Sequence, residues 1–121
     1  MLLIKIITLK GGLSVVDESI INRVSGYLNR LKEKGLAVEF GVVYGSYAQD
    51  RANRLSDIDV MVVSPIFDGI RNRRDIDLLW HVAAKTDNRI EPIPCGVRQW
   101  QEDDASAIVE IARREGQKIT V

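Results

Sequence analysis

Residues 57 to 63 read Asp-Ile-Asp-Val-Met-Val-Val, and no other run constrains the fold as tightly. Its β-branched content favours a strand. Side chains in a strand alternate between faces, so Ile58, Val60 and Val62 share one side, and Asp57, Asp59, Met61 and Val63 share the other. Both sides are apolar along most of the run, so the strand needs cover on both faces, as in a layered domain. Two carboxylates nevertheless open one of those faces. Charged side chains do not normally point into a covered layer without a function.

The rest of the chain supplies the layers. Residues 2 to 9 are apolar but lack a clean alternation, and Gly11-Gly12 separates them from the next segment. Ser14 and Asp17 have capping-box spacing, so either could cap a helix carrying Ile20, Ile21, Val24, Leu28 and Leu31 on one stripe. Gly35 stops this helix behind Lys32 and Lys34, whose charges suit its C-terminus. Residues 37 to 44 predict a strand with Val38, Phe40, Val42 and Tyr44 on one face, and a short helix is expected around 47 to 53. Ser64-Pro65 ends the strand at 57 to 63. A helix is expected over 68 to 86 with Ile76, Leu79, Trp80 and Ala83 inward. Residues 89 to 94 read as a third strand, which Pro92 and Pro94 confine to an edge or a short piece. A last helix is expected from about 103 to Arg114, with Ile108, Ile111 and Ala112 inward and Gly116 as its stop. The alternation of helices and strands predicts an α/β (α+β) domain: a small mixed β-sheet with flanking helices.

Length and composition agree with this. The chain has 121 residues, one domain's worth, and 45% apolar content builds a core without staples. The first 12 residues stand apart as an N-terminal segment of undetermined structure. Lys plus Arg equals Asp plus Glu at 17 each, which argues against broad nucleic-acid binding. Cys95 is the single cysteine, so no internal disulfide forms. There is no run of transmembrane length, and the apolar start, interrupted by Lys5, lacks a small-residue cleavage site. These features read as a soluble, cytoplasmic protein.

Asp57 and Asp59, at i and i+2 of a strand, stand roughly 6 to 7 Å apart at the backbone and repel each other unless a cation lies between them. Magnesium takes one or two carboxylates together with waters and phosphate oxygens. Upstream, Gly45 ends a strand and Ser46 opens the next segment. Glycine lets backbone approach a ligand closely, and a helix N-terminus offers free N–H groups to phosphate. Alone, Gly-Ser is a plain strand-to-helix turn. Ahead of Asp-x-Asp it gains meaning.

Gly45-Ser46, a ten-residue spacer from Tyr47 to Ser56, and then Ser-Asp-Ile-Asp at 56 to 59 resemble the nucleotidyltransferase superfamily with a polymerase-β-type palm. The resemblance runs from about residue 14 to Gly116 and includes the Arg-Glu-Gly at 114 to 116. It implies a palm-like core in which Asp57 and Asp59 bind two magnesium ions. Gly45 and Ser46 would hold the triphosphate of ATP or another NTP. Glu91, on a neighbouring strand, would be the third carboxylate, as base or metal ligand. Two positions depart from the family's usual pattern: Glu91 is longer than the usual Asp, and Asp50 stands where many members have Gly.

In size and motif the chain resembles the minimal nucleotidyltransferases, often paired with a helical HEPN protein. That resemblance implies a type VII-like antitoxin that attaches AMP to a tyrosine of a HEPN toxin. The alternatives are a small-molecule, antibiotic-type nucleotidyltransferase and a binding module that neutralises its partner by contact. The edge around Glu91 to Pro94 could pair with a second copy as a homodimer. His81 reads as a partly buried packing residue, and Arg71, Arg73 and Arg74 as a solvated face. Arg51, Arg54 and Tyr47 lie within the spacer, and Cys95 lacks the neighbours for metal or nucleophilic work.

Overall fold

The computed structural model describes residues 4–9, 12–45, 56–103 and 105–121, with side chains from Asp17 onward. Ser46 and the segment through Leu55, with the helix expected around 47 to 53 and with Tyr47, Asp50, Arg51 and Arg54, lie outside the described residues. In chain order the elements are β1 (Ile4–Leu9), β2 (Gly12–Asp17), α1 (Glu18–Glu33), β3 (Phe40–Tyr44), β4 (Ile58–Val63), α2 (Arg73–Thr86), β5 (Ile90–Cys95), α3 (Val97–Glu102), α4 (Ala107–Glu115) and β6 (Gln117–Thr120).

Four strands form one mixed sheet in the order β5-β4-β3-β6. β3 is antiparallel to both β4 and β6, while β4 and β5 are parallel. The parallel step is made by α2, the crossover that such a pair requires. Helices α1 and α2 cover one face, where Val43, Ile58, Val60, Val62, Ile90 and Ile119 meet Tyr27, Leu28, Leu31 and Leu79. Leu28 sits so close that a Cβ at Gly41 would fall 2.6 Å from its Cδ1, so the glycine lets α1 rest on β3. On the other face, Val42, Met61, Val63, Cys95, Val109 and Ala112 form a second cluster, joined by Phe40, Ile93 and Trp100.

Asp17, not Ser14, caps α1: its carboxylate accepts from the Ser19 N–H at 2.8 Å, while Ser14 lies within β2. Gly35 follows that helix at φ +95°, in the left-handed region. β1 and β2 form a separate antiparallel hairpin, with Gly12 opposite Leu9 at its turn end. This hairpin was not legible, because an apolar run without alternation fits a strand or a buried helix equally well.

Several expectations are corrected. β3 begins at Phe40, so Val38 precedes it and joins the α1/α2 core instead of sharing the face of Phe40. α2 starts at Arg73, with Asn72 as its cap, because a 3-10 turn at Pro65–Phe67 and the left-handed Gly69 occupy the chain first. Trp80 is half exposed, and Val82 takes the inward place. His81 is exposed, and Arg71 is committed to the Phe67 carbonyl and the Gln99 amide oxygen. The helix expected from about 103 begins only at Ala107, as α4, and α3 before it was not expected; the two are separated where Asp103 accepts from the Ala105 and Ser106 N–H groups. Ile108 and Ile111 are 45% and 37% exposed; α4 turns Val109 inward in their place, beside the expected Ala112. Gly116 caps α4, and Glu110–Arg114 forms the expected i,i+4 pair at 3.7 Å. Among the described residues no helix is long and apolar enough to cross a membrane.

Candidate active site

The registers of β3, β4 and β5 align the α3/α4 face of the sheet into three cross-strand rungs. Phe40, Val63 and Cys95 form one rung, and Val42, Met61 and Ile93 form the next. The third, at the sheet end where β4 begins, is Tyr44, Asp59 and Glu91. Two apolar rungs are therefore closed by a polar one. Directly opposed side chains in a sheet have Cβ atoms about 4.5 to 5.5 Å apart, so the parallel pairing alone brings Asp59 beside Glu91. Asp57 lies one alternation further out, exposed, just before β4. The Ile58 N–H donates to the Arg89 carbonyl at 2.7 Å and locks this corner of the ladder.

Partial burial pushes Asp59 above the ordinary carboxylate range, and the Asp57 charge adds to it. Glu91 is raised by desolvation first, then by the charges of Asp57 and Asp59, and by a side-chain hydrogen bond with Asp57. Among the described residues no Lys or Arg forms an ion pair with any of the three.

Among the described residues this negative charge has no cationic partner, and the oxygen-only donor set is of the kind that hard divalent cations take. The described residues do not close into a ready-made cage of three or more ligands. A cation that keeps its waters and shares substrate oxygens needs only one or two carboxylates from the protein.

Gly45 completes the corner. It adopts φ +76°, and a Cβ there would collide with the Asp59 carboxylate. Glycine is thus required twice, for the left-handed turn and for the space in which Asp59 lies. Among the described residues, a cleft of about 490 Å³ is lined by Lys34, Arg74 and His81, and one of about 320 Å³ by Asp68, Arg98 and Asp103.

β5 is an edge strand, as its prolines require. The Arg89 and Cys95 carbonyls accept from Ile58 and Ser64, so odd positions turn their peptide groups toward β4. Pro92 and Pro94 therefore put their missing N–H groups on the outer side, and the Ile90 N–H is bound to the Asp87 carbonyl. From Ile90 to Pro94 the outer edge offers acceptors without donors, a poor template for a second copy's strand.

Asp57, Asp59, Glu91 and Gly45 thus meet at one corner, as the sequence pattern required, while Ser46 lies outside the described residues. Tyr44 was missed as a site residue. Its signal was present, since it immediately precedes Gly45 on the same strand face, but its neighbours across the sheet follow only from the register.

The model for the nucleotidyltransferase domain family matches residues 24–118. No curated protein matches the sequence. Among solved structures, a protein from Sulfolobus solfataricus described as a nucleotidyltransferase has a TM-score of 0.56 at 14% identity, covering 83% of this chain and 78% of its own. A toxin–antitoxin with AMP-PNP has a TM-score of 0.55 at 20% identity, over 82% of this chain and 71% of its own. The toxin–antitoxin MntA–HpeT, in a form with two aspartates changed to glutamate, has a TM-score of 0.54 at 19% identity, with coverage of 82% and 71%. Fold, site corner and family match agree: the chain belongs to the nucleotidyltransferase domain family.

Proposed function

We propose that this protein moves a nucleoside monophosphate, AMP in the first instance, from a nucleoside triphosphate to a hydroxyl on a partner protein. The observation that carries the reading is the corner of Asp57, Asp59 and Glu91, three carboxylates brought together by register and free of Lys or Arg ion pairs among the described residues. Asp57 and Asp59 would hold magnesium, with Glu91 as third ligand or as the base for the acceptor hydroxyl. When bound, magnesium neutralises triphosphate charge and stabilises the attacking and leaving oxygens. The acceptor oxygen attacks the α-phosphorus, the bond to the β-phosphate oxygen breaks, pyrophosphate leaves, and the hydroxyl proton passes to a carboxylate. The protein's part is positioning and charge placement. Gly45 keeps Asp59 in place by leaving room for it.

Two structural neighbours support a protein acceptor. Both are toxin–antitoxin assemblies, one with AMP-PNP, the other altered at two aspartates two residues apart, the spacing of Asp57 and Asp59 here. The partner in this reading is a helical HEPN toxin modified on a tyrosine. The test is transfer of label from α-labelled ATP, with magnesium, to the product of the neighbouring reading frame. Label is expected on a partner tyrosine. No transfer by the wild type, or undiminished transfer by Asp57→Asn, overturns the reading.

One observation favours neutralisation by contact alone: Ile108 and Ile111 lie exposed at adjacent positions on α4. That alternative requires the partner to stay neutralised when Asp57 and Asp59 are both removed.

A further inference from the structure

Among the described residues two tyrosines are buried, one against each face of the sheet, and only one has its hydroxyl committed. Tyr27, fully buried under α2, donates to the Leu79 carbonyl at 2.9 Å. That is the usual fate of a buried phenol, whose ring is apolar and whose O–H needs a partner. Tyr44 is 8% exposed and belongs to the other cluster with Met61, Val109 and Ala112. Among the described residues no hydrogen bond is made by its hydroxyl. It shares the polar rung with Asp59 and Glu91, and its backbone leads directly into Gly45. A phenol is neutral near pH 7, so its O–H is available as a donor. The described residues of the rung therefore hold two carboxylates that only accept when ionised and one O–H that can donate.

A donor in that place is a poor cation ligand and a good partner for an anionic oxygen. We propose that the Tyr44 hydroxyl donates a hydrogen bond to a phosphate oxygen of the nucleotide bound at the Asp57, Asp59 and Glu91 corner. The inference rests on the nucleotide-transfer reading above and adds a binding residue to it. Tyr44→Phe keeps the ring and the packing and removes only the donor. Hydrogen bonds to charged groups are the stronger kind, so AMP-PNP with magnesium should bind the variant about tenfold or more weakly by calorimetry. Mn²⁺ alone should bind both proteins equally, and the melting temperature should hold. Tyr27→Phe is the control with the reverse pattern, a lowered melting temperature and unchanged AMP-PNP affinity.

Equal AMP-PNP affinity of wild type and Tyr44→Phe overturns this inference alone. A matching loss of Mn²⁺ affinity also overturns it, because Tyr44 would then act by holding Asp59. A wild type that binds no AMP-PNP overturns the functional reading and this inference with it.

Discussion

The two faces of the sheet are built from the same strands and do different work. On the α1/α2 face, Val43, Ile58, Val60, Val62 and Ile90 are apolar from end to end beneath the helices. On the α3/α4 face, the same alternation runs through two apolar rungs and then stops at Tyr44, Asp59 and Glu91. One strand, β4, serves both: its even residues face the α1/α2 core, and its first odd residue, Asp59, joins the carboxylate corner. The period of two separates the roles, so a domain this small can spend one face on folding and the end of the other on chemistry.

If this division holds, the largest effect of any single change falls on activity without touching stability. Asp59→Asn should lower nucleotidyl transfer on the order of a hundredfold or more. Its melting temperature should stay level or rise, since it removes one of three mutually repelling carboxylates. A large drop in melting temperature would show that the polar rung is structural and break the comparison.

The converse change is Leu28→Ala on the other face. Leu28 is fully buried against Gly41, and its truncation should cost about 3 to 5 kcal/mol in urea unfolding. Nucleotide affinity of the remaining folded protein should be unchanged. A loss of affinity in proportion would mean that the faces are coupled.

A third change tests what ties the helical layer to the sheet. Asp87, at the end of α2, accepts from Arg89 at 2.8 and 3.1 Å and from Arg23 of α1 at 3.3 Å, and its side chain is only 6% exposed. The Arg89 hydrogen bond is the main cause that holds its carboxyl below the usual range. A lowered folded pKa gives stability that is fully present above the unfolded value of about 4 and is lost as pH falls through the folded value. Asp87→Asn should therefore be less stable than wild type by about 1.5 to 3 kcal/mol at pH 7. The gap should narrow below about pH 4 and stay constant between pH 5 and 8. A gap that persists undiminished at pH 2 to 3 would assign the effect to packing.

The smallest effect probes a polar residue on the α1/α2 side. Gln117 is 4% exposed, and among the described residues its Oε1 has no hydrogen-bond partner. Gln117→Met keeps the length and removes the orphaned carbonyl, so it should stabilise by about 1 kcal/mol. Destabilisation would mean that the amide has a role in the fold.

Much of this was legible in the sequence because the relevant signals are local. The α1 stripe, Gly35 and Gly116 as stops, the alternation in β4 and the prolines of β5 each act within a few residues. The polar corner was legible because Asp57 and Asp59 lie two apart on one strand, and the family resemblance supplied Glu91. The missed elements lacked a local signal. α3 spans six residues, under two turns, too few for a helical period to show. β6, Gln-Lys-Ile-Thr, is a strand because β3 pairs with it, not because four residues prefer it. α4 is nine residues long and carries apolar residues on two sides, so composition could not choose between Ile108 with Ile111 and Val109 with Ala112. The smaller pair faces inward, where the helix lies over Val42 and Tyr44.

By itself the sequence determined that β4 would be covered on both faces, that two carboxylates would share one of them, and that β5 would be an edge. These follow from side-chain alternation and from proline's missing N–H, properties of single strands. Only the tertiary structure decided which strand lies beside which, and in what register. It set Glu91 level with Asp59, placed Tyr44 in the same rung, and pressed Gly45 against the Asp59 carboxylate. Those placements depend on pairing between residues 15 and 32 positions apart, and such pairing is fixed only when the helices close both layers over the sheet.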